Sequence, residues 1–510
     1  MKDMQKLLAF LQGEDYDAGE QKIPAFPAGK QERKEEYVMD INAILEAIDG
    51  AVWGVPLIVL IIACGVWLTF RVRFLQVRHL GKALKFMVKN EEGGEGEVTS
   101  FGALCTALSA TIGTGNIVGV ASAIAAGGPG ALFWMLVAAF FGMATKYSEG
   151  LLAIKYREVD ADGHVLGGPF YYIEKGMGKN WKWMGKLFAL FGVLAGALGI
   201  GTITQINGIT SAAQNFFDPD KAHVVFTLAA GTSSETPITM TTIVVGLIVT
   251  VCAGLVIIGG IKRIAKVSEV VVPFMAVAYV LFAVILLLTN LSAVPHAIYQ
   301  IVYGAFHPEA VAGGIVGVCF KVALQKGVAR GIFSNEAGLG SAPIAAAAAK
   351  TNEPVRQGLV TMTGTFIDTI IICTMTGLVV VISGLWKTDL NGAALTNAAF
   401  LQAYPSFGGY MLMVGLVLFA FTTILGWNYY GERCMEYLVG TKGIMPYRIG
   451  FIILVGCGAF LKLESIWILA DIVNGLMAIP NLIALLGLSG VVVAETRKYM
   501  EHVKAEKKGV

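Results

Sequence analysis

Apolar runs close to 20 residues long recur along most of this 510-residue chain. About 20 helical residues are enough to cross the hydrocarbon core of a bilayer. Only 15% of the residues are charged, against roughly 25% in soluble domains, and the mean hydropathy is +0.68. The pattern predicts an all-α polytopic membrane protein with about 11 transmembrane helices. We place these spans at about 52–70, 99–125, 130–154, 186–214, 241–261, 269–290, 312–349, 358–385, 407–431, 448–462 and 466–494.

The distribution of Lys and Arg predicts the orientation, since cytoplasmic loops carry an excess of both. The segment after the first span and the C-terminal tail at 495–510 are strongly basic, whereas 289–311 has no Lys or Arg. We therefore expect a multi-pass protein of the plasma (inner) membrane with its N-terminus outside and its C-terminus in the cytoplasm. The weakly ordered tail at 1–38 conflicts with this because it holds six Lys and Arg. A translation start at Met39 would remove the conflict.

The spans divide into one extra helix and two sets of five. The extra helix and its basic segment occupy 39–98, and the two sets occupy 99–290 and 312–494. Because five is odd, the second set starts on the opposite side of the membrane, which is the arrangement of an inverted repeat. The first helix of each set is interrupted, by "IGTGN" at 112–116 and by "FSNEAGLGSAP" at 333–343. Interruptions at matching positions of two repeats indicate a binding site near the bilayer midplane.

The first interruption could bind an anion and a cation together. If the helix unwinds, the backbone N–H groups of Thr114 and Gly115 could bind a carboxylate at the start of the next half-helix, and Asn116 adds an amide. Carbonyl groups freed near Ser109 and Ile112 could coordinate a small cation. The alternative is that the glycines only allow helices to pack closely, as small residues often do in membranes.

The second interruption places Ser334, Asn335 and Glu336 at membrane depth, where an acid is costly and usually functional. Glu336 could pair with a cation or bond the unwound backbone, and Phe333 would face the cavity as an apolar lid. A short re-entrant loop with a purely structural Glu336 is the alternative.

The hydroxyl pair Thr422 and Thr423 lies in an apolar helix, one turn before Trp427. Hydroxyl oxygens are hard ligands of the kind that alkali and alkaline-earth cations accept. Each threonine could instead bond the carbonyl four residues earlier in its own helix. Gln205 is a lone amide in another apolar span, where it could either bind a ligand or join two helices.

Other intramembrane charges have structural interpretations. Asp368 and Asp471 could relay protons, but we favour a role in sealing helix contacts. Lys146 and Glu149 are three residues apart and are expected to form a local ion pair near a cytoplasmic helix end. We find no phosphate-binding loop and no Cys/His metal motif. The net charge of +2 indicates no nucleic-acid partner.

Four motifs together resemble the alanine or glycine:cation symporter family of the amino acid–polyamine–organocation superfamily. They are "CTALSATIGTGNIVGVASAI", "GGIKRIAKVSE", "KGVARGIFSNEAGLGSAPIAAAAAK" and "TTILGWNYYGER", and the resemblance covers about 39–496. It implies a LeuT-type fold with a five-plus-five inverted repeat and Na⁺-coupled uptake of a small neutral amino acid.

The resemblance also implies roles for individual residues. The expected Na⁺ ligands are Ser109, Ile112, Phe419, Thr422 and Thr423. The expected substrate-binding residues are Thr111, Thr114, Gly115, Asn116, Gln205, Phe333, Ser334 and Trp427, with Phe333 and Trp427 limiting the size of the substrate side chain.

We therefore expect a symporter, not an enzyme, that imports alanine or glycine with Na⁺ as the coupling ion and without an organic cofactor. Its partners would be the amino acid, Na⁺ and the lipid bilayer, with no obligate protein partner. One alternative is coupling to H⁺ through Glu336 or Asp368. A channel or a non-transporting amino-acid sensor is a more distant alternative. A channel needs a continuous polar path, and a sensor normally carries a soluble output domain.

Overall fold

Helices make up nearly all of the regular structure in the computed structural model. It describes residues 41–89, 91, 93–161, 163–228, 236–307, 320–405, 407–461 and 464–508. The predicted tail at 1–38 lies outside these residues.

The helices are labelled α1 to α22 in chain order. They are α1 (Ile41–Val52), α2 (Val55–Arg71), α3 (Leu75–Arg78), α4 (Leu80–Val88), α5 (Ser100–Thr111), α6 (Val118–Gly127), α7 (Gly130–Tyr156), α8 (Pro169–Tyr171), α9 (Lys182–Leu198), α10 (Ile203–Phe217), α11 (Met240–Ile257), α12 (Gly260–Thr289), α13 (Val294–Phe306), α14 (Phe320–Asn335), α15 (Ala342–Ala347), α16 (Pro354–Thr365), α17 (Thr374–Ser383), α18 (Gly392–Ala403), α19 (Gly408–Val439), α20 (Ile444–Gly458), α21 (Glu464–Gly487) and α22 (Ser489–Lys508). Two antiparallel hairpins join β1 (Glu158–Val159) to β2 (Val165–Leu166) and β3 (Val224–Leu228) to β4 (Thr236–Thr239).

Eight helical segments in the described part of the chain are long and apolar enough to cross a membrane. They account for eight of the predicted spans. The other three predicted spans correspond to the two interrupted segments and to α20, which has 15 residues. The prediction of an all-α polytopic membrane protein is confirmed, with an interrupted helix at the start of each predicted set of five.

Both predicted interruptions are present. The first interrupted helix consists of α5 and α6, separated by an extended residue, Gly113, and a 3₁₀ turn at Thr114–Asn116. The second consists of α14 and α15, separated by a loop from Glu336 to Ser341. Within the loop, Glu336 has a positive φ of 56°, a left-handed conformation that is unusual and costly for a residue with a Cβ.

Two further irregularities were not predicted. The third helix of the first set is broken at 199–202, between α9 and α10. The second helix of the second set widens into a π-helix at Phe366–Cys373, between α16 and α17. π turns inside α-helices are frequent at functional sites, and this segment contains Asp368.

Segments that were predicted to be loops also hold structure. Helix α13 lies in the connection after the fifth span of the first set, and α18 lies in the connection after the second span of the second set. The connection at 215–240 contains the β3–β4 hairpin. The large apolar side chains left exposed on α12, including Val270, Phe274, Val277 and Leu281, are suited to lipid contact, since the hydrocarbon region accepts apolar surface.

Candidate functional site

The first interruption is stabilised by its own amide side chain. In a continuous helix the N–H of Gly113 would donate to the carbonyl of Ser109. Here it donates to Oδ1 of Asn116 at 2.9 Å. The carbonyl of Ser109 has therefore lost its helical donor, as a cation site at this point requires.

Asp368 connects the two interrupted helices. Its Oδ1 accepts from Nδ2 of Asn116 at 2.6 Å, and its Oδ2 accepts from the hydroxyl of Ser334 at 2.8 Å. The hydroxyl of Thr369 donates to Oδ2 at 2.7 Å. All four side chains are buried. Asp368 does join helices, as we favoured, but the helices that it joins are the two that carry the interruptions.

The second interruption obtains its partners from distant helices. The N–H of Gly338 donates to Oε1 of Glu149 at 3.1 Å, and its carbonyl accepts from Nδ2 of Asn481 at 2.9 Å. Nδ2 of Asn481 also donates to Oε1 of Glu149 at 2.7 Å. Glu336 accepts from the hydroxyl of Ser341. The loop is thus held by α7 and α21.

This arrangement corrects the prediction for Lys146 and Glu149. Glu149 is fully buried on α7 and its Oε1 serves the second interruption, and no ion pair with Lys146 occurs among the described residues. The spacing along the helix permits a local pair, but unwound backbone buried away from water must find its own partner, and Glu149 supplies it.

Oxygen atoms from α19 and the first interruption come together at Thr423. Its hydroxyl donates to the carbonyl of Phe419 at 2.9 Å and lies 3.4 Å from the carbonyl oxygen of Ile112. The hydroxyl of Thr422 also reaches the carbonyl of Phe419, at 3.0 Å, but it lies 3.6 Å from the sulfur of Met275 on α12. Thr423 faces the interruption more directly than Thr422 does.

Gln205 points toward the first interruption because of the break between α9 and α10. Its Nε2 donates to the carbonyl of Ile200, which the break leaves available, at 3.0 Å. Its Oε1 is buried and has no hydrogen-bond partner in the described part of the chain. A Cβ placed on Gly113 would lie 3.6 Å from this oxygen and 2.6 Å from the hydroxyl oxygen of Thr423. Gly113 therefore lies between the unpaired Oε1 of Gln205 and the hydroxyl of Thr423.

A cavity of about 1080 Å³ leads to this region from the side predicted to be extracellular. Thr114, Gly115 and Phe333 form part of its wall at the two interruptions. The Phe333 ring would lie 3.3 Å from a Cβ on Gly115, so the ring covers the first interruption. The carboxylates of Asp49 and Asp471 line the same cavity.

Two of the predicted substrate residues lie elsewhere around the interruption. Thr111 is buried at the end of α5, and its hydroxyl bonds the carbonyl of Leu108 at 3.3 Å. Trp427 is buried against the break between α9 and α10, where its Cβ would lie 2.4 Å from a Cβ on Gly201. It is outside the cavity wall, and its indole N–H has no partner among the described residues.

Sequence reasoning missed three contributors: Glu149, Asn481 and the break at 199–202. The glycines in "GALGIGT" at 196–202 were a possible signal for the break. The contacts of Glu149 and Asn481 had no local signal, because their partner at Gly338 is 189 and 143 residues away in the chain.

Known proteins similar to this chain are transporters. The model of the sodium:alanine symporter family matches residues 38–510. An uncharacterized transporter of Haemophilus influenzae is 56% identical over 91% of this chain and 98% of its own length. The sodium/alanine symporter AgcS of Methanococcus maripaludis is 48% identical over 92% of this chain and all of its own length. The probable sodium/glutamine symporter GlnT of Bacillus subtilis is 39% identical over 92% and 93%.

A solved structure, the crystal structure of MhsT in complex with L-phenylalanine, has a TM-score of 0.47 and 12% identity to this chain, covering 79% of it and all of MhsT. The family model spans nearly the whole chain, and the relatives agree with it over nine-tenths of the sequence. The chain therefore belongs to the sodium:alanine symporter family.

Proposed function

We propose that this protein imports a small neutral amino acid, with alanine or glycine first, by symport with Na⁺. The observation that carries the proposal is the meeting of the two interrupted helices at Asp368, next to a large cavity whose wall includes Thr114, Gly115 and Phe333. Interrupted helices at matching positions are where secondary transporters bind substrate and ions.

The Na⁺ site would lie between α5 and α19. Its ligands would be the carbonyl oxygens of Ser109, Ile112 and Phe419 with the hydroxyls of Thr422 and Thr423. The distances around Thr423 support this set, and the free carbonyl of Ser109 supplies an oxygen with no helical donor. Thr422 would have to turn away from Met275 to join the set.

The amino acid would bind beside the first interruption. Its carboxylate would meet the N–H groups of Thr114 and Gly115, where the dipole of α6 favours an anion. Its ammonium group would meet carbonyls freed near Thr111 and Phe333, and the unpaired Oε1 of Gln205 is a further acceptor within this region. Phe333 would restrict the side chain, together with Trp427 behind the break in the third helix.

Asn116 and Ser334 would affect substrate binding indirectly, by fixing the conformation of the two interruptions. Their side chains are already bonded to Asp368. A buried polar network with every member paired rigidifies its surroundings. We therefore assign them to holding the site open, which refines the expectation that they contact substrate.

Transport would proceed by alternating access. Na⁺ binding would fix the first interruption to α19, and the substrate would then complete the site. Coupling requires that the ligands bind one state of the carrier better than another. An inward Na⁺ current at a negative membrane potential would add about 2.3 kcal/mol per charge per 100 mV. This direction rests on the proposed orientation, with the C-terminal tail in the cytoplasm.

Coupling to H⁺ is the second candidate, through Glu336 or Asp368. Both carboxylates are buried at the second interruption or beside it. Asp368 accepts bonds from Asn116, Ser334 and Thr369, an arrangement suited to an ionised carboxylate. Glu336, with one side-chain partner in Ser341, is the better candidate for a proton carrier.

The test is uptake into proteoliposomes of a labelled panel of alanine, glycine, serine and glutamine under an imposed Na⁺ gradient. Replacing Na⁺ by choline should abolish uptake of the preferred amino acid at a constant external pH. Uptake that persists in choline and follows a pH gradient would instead support H⁺ coupling. Binding without uptake, at saturating Na⁺, would contradict transport and favour a sensor.

A further inference from the structure

A short hairpin on the face opposite the cavity contacts both interrupted helices. β1 and β2 follow α7 on the side predicted to be cytoplasmic, and Arg157 stands at the start of the hairpin. Its guanidinium donates to the carbonyls of Ala347 at the end of α15 and Ala349 just after it, both at 2.6 Å, and to those of Glu95 and Thr351. The hairpin thus ties the entry to the first interrupted helix to the exit of the second.

His164, between β1 and β2, adds a contact to α19. Its Nδ1 lies 3.1 Å from Oε1 of Glu97, which precedes α5. Its Nε2 lies 2.8 Å from Oε1 of Glu436, in the last turn of α19. The imidazole therefore joins the chain entering the first interruption to the helix that carries Thr423.

Arg433 and Glu432 extend this contact into α20. The guanidinium of Arg433 donates to Oε2 of Glu436 at 2.8 Å and to Oε1 of Glu432 at 2.6 Å. Arg448 on α20 donates to both oxygens of Glu432, at 2.6 and 2.8 Å. Arg433 therefore holds the carboxylate of Glu436 in place independently of the imidazole.

The imidazole can bond both carboxylates only when it is protonated, because both ring nitrogens must donate and a neutral ring has a single N–H. Nη1 of Arg433 lies 3.0 Å from Nε2 of His164. A neutral ring that keeps its bond to Glu97 has a lone pair on Nε2, which would accept from Arg433 and lose the bond to Glu436. The ring thus has two bonding patterns that differ by one proton.

The surrounding charges favour the protonated ring. Hydrogen bonds that the ring donates to the carboxylates of Glu436 and Glu97 raise the pKa of His164 to about 9, against the opposing effects of burial and of Arg433. On its own hairpin, the carboxylate of Asp160 accepts from the backbone N–H of His164. Although burial opposes it, bonds from His164 and the N–H of Val165 hold the pKa of Glu97 below its usual value.

We propose that His164 is a positioning residue of the inner gate: its protonated ring joins Glu97 to Glu436 and keeps the cytoplasmic face closed, and the ring loses its proton when that face opens. The proposal rests on alternating access. Opening separates α5 from α19, so His164 loses its carboxylate partners and behaves as an ordinary imidazole with a pKa near 6.5.

The sign of the pH dependence follows. Since the pKa is higher in the closed state, the closed state is favoured fully below about pH 6.5, and the advantage is lost as pH rises through about 9. Between these limits, each rise of one pH unit on the cytoplasmic side should increase the ratio of open to closed carriers by up to about tenfold.

The experiment measures exposure of the inner path without any amino acid. Ser100→Cys reports opening, since Ser100 is buried at the start of α5 and its hydroxyl has no partner among the described residues. In a variant otherwise free of cysteine, an impermeant thiol reagent is added to the cytoplasmic face from pH 6 to pH 9. Labelling of Lys504→Cys, at an exposed position on α22, corrects for the reactivity of the thiol itself.

We expect the corrected labelling rate at position 100 to rise steeply between pH 6.5 and pH 9. His164→Gln should raise the rate at low pH and flatten the profile, whereas His164→Lys, which carries a permanent charge, should keep the rate low throughout. His296→Gln, at an exposed site on α13, is the matched control.

A His164→Gln variant with the parent profile would overturn the proposal. Equal labelling rates of Ser100→Cys and Lys504→Cys at every pH would also overturn it, because the inner face would then be open throughout. Both readouts are taken without any amino acid, so a failure of the proposed transport would leave them unchanged and the two proposals are separable.

Discussion

Thr423 and Thr422 are adjacent hydroxyls with different surroundings, and this difference predicts different effects of removing them. Thr423 lies against the carbonyls of Phe419 and Ile112, whereas Thr422 faces the sulfur of Met275. Thr423→Val should raise the Na⁺ concentration for half-maximal uptake at least about tenfold, which corresponds to about 1.4 kcal/mol of binding free energy. Initial uptake rates against Na⁺ concentration provide the measurement.

Thr422→Val is the matched control for this prediction, since it removes the same group from the neighbouring residue. Its effect on the Na⁺ requirement should be the smaller of the two. An equal effect would mean that Thr422 turns toward the ion when Na⁺ binds. An unchanged Na⁺ requirement in Thr423→Val would remove the proposed ion site.

Gly113 allows a close approach between the first interruption and α19. A Cβ here would lie 2.6 Å from the hydroxyl oxygen of Thr423, well inside van der Waals contact, so Gly113→Ala must displace α19 or the interruption. We expect uptake to fall at least tenfold in proteoliposomes. Gly119→Ala is the control, because a Cβ on Gly119 meets nothing within 4 Å; equal losses in both variants would contradict the argument.

At the scale of elements, the second interruption depends on one acceptor on α7. Glu149→Ala would leave the N–H of Gly338 without its acceptor and would remove one partner of Asn481. A buried donor left unpaired costs about 1–3 kcal/mol, so the apparent Tm in detergent should fall clearly. Glu149→Gln keeps an oxygen acceptor and should fall less. A loss in Glu149→Gln as large as in Glu149→Ala would assign the effect to the charge instead.

The interruptions could be predicted from the sequence because glycines and polar residues in an apolar run form a local pattern. The partners of the interruptions could not. The sequence indicates that Asp368 joins helices but does not identify the residues that it bonds. The predicted ion pair between Glu149 and Lys146, three residues away, is wrong. Both carboxylates bond groups far off in the chain, and periodicity along one helix carries no information about such contacts.

The helix count and the connections show the same limit. Long apolar runs predicted the eight long spans, since length and hydropathy are properties of each run alone, although the start of Gly260–Thr289 was placed at 269 and the end of Gly408–Val439 at 431. The break at 199–202 and the π-helix at Phe366–Cys373 were missed. Each depends on packing against another interrupted helix, as the bonds of Gln205 to Ile200 and of Asp368 to Asn116 indicate.

At the scale of the whole molecule, the two faces differ. The cavity reaches Gly115 and Phe333 from one side, while Arg157 ties the opposite side together at the ends of both interrupted helices. This arrangement is that of a carrier open to one side of the membrane. Alternating access requires that ligands alter the balance between such states.

The open side can be identified by chemical labelling. Ser122→Cys places a thiol on the partly exposed wall of the cavity. An impermeant thiol reagent added outside should label it quickly in Na⁺-free medium, because the cavity leads to the side predicted to be extracellular. Saturating Na⁺ with the transported amino acid should slow the labelling several-fold, since the loaded carrier spends part of its cycle closed to the outside. Labelling only from the cytoplasmic side would reverse the proposed orientation, and labelling that ignores both ligands would separate the cavity from the transport path.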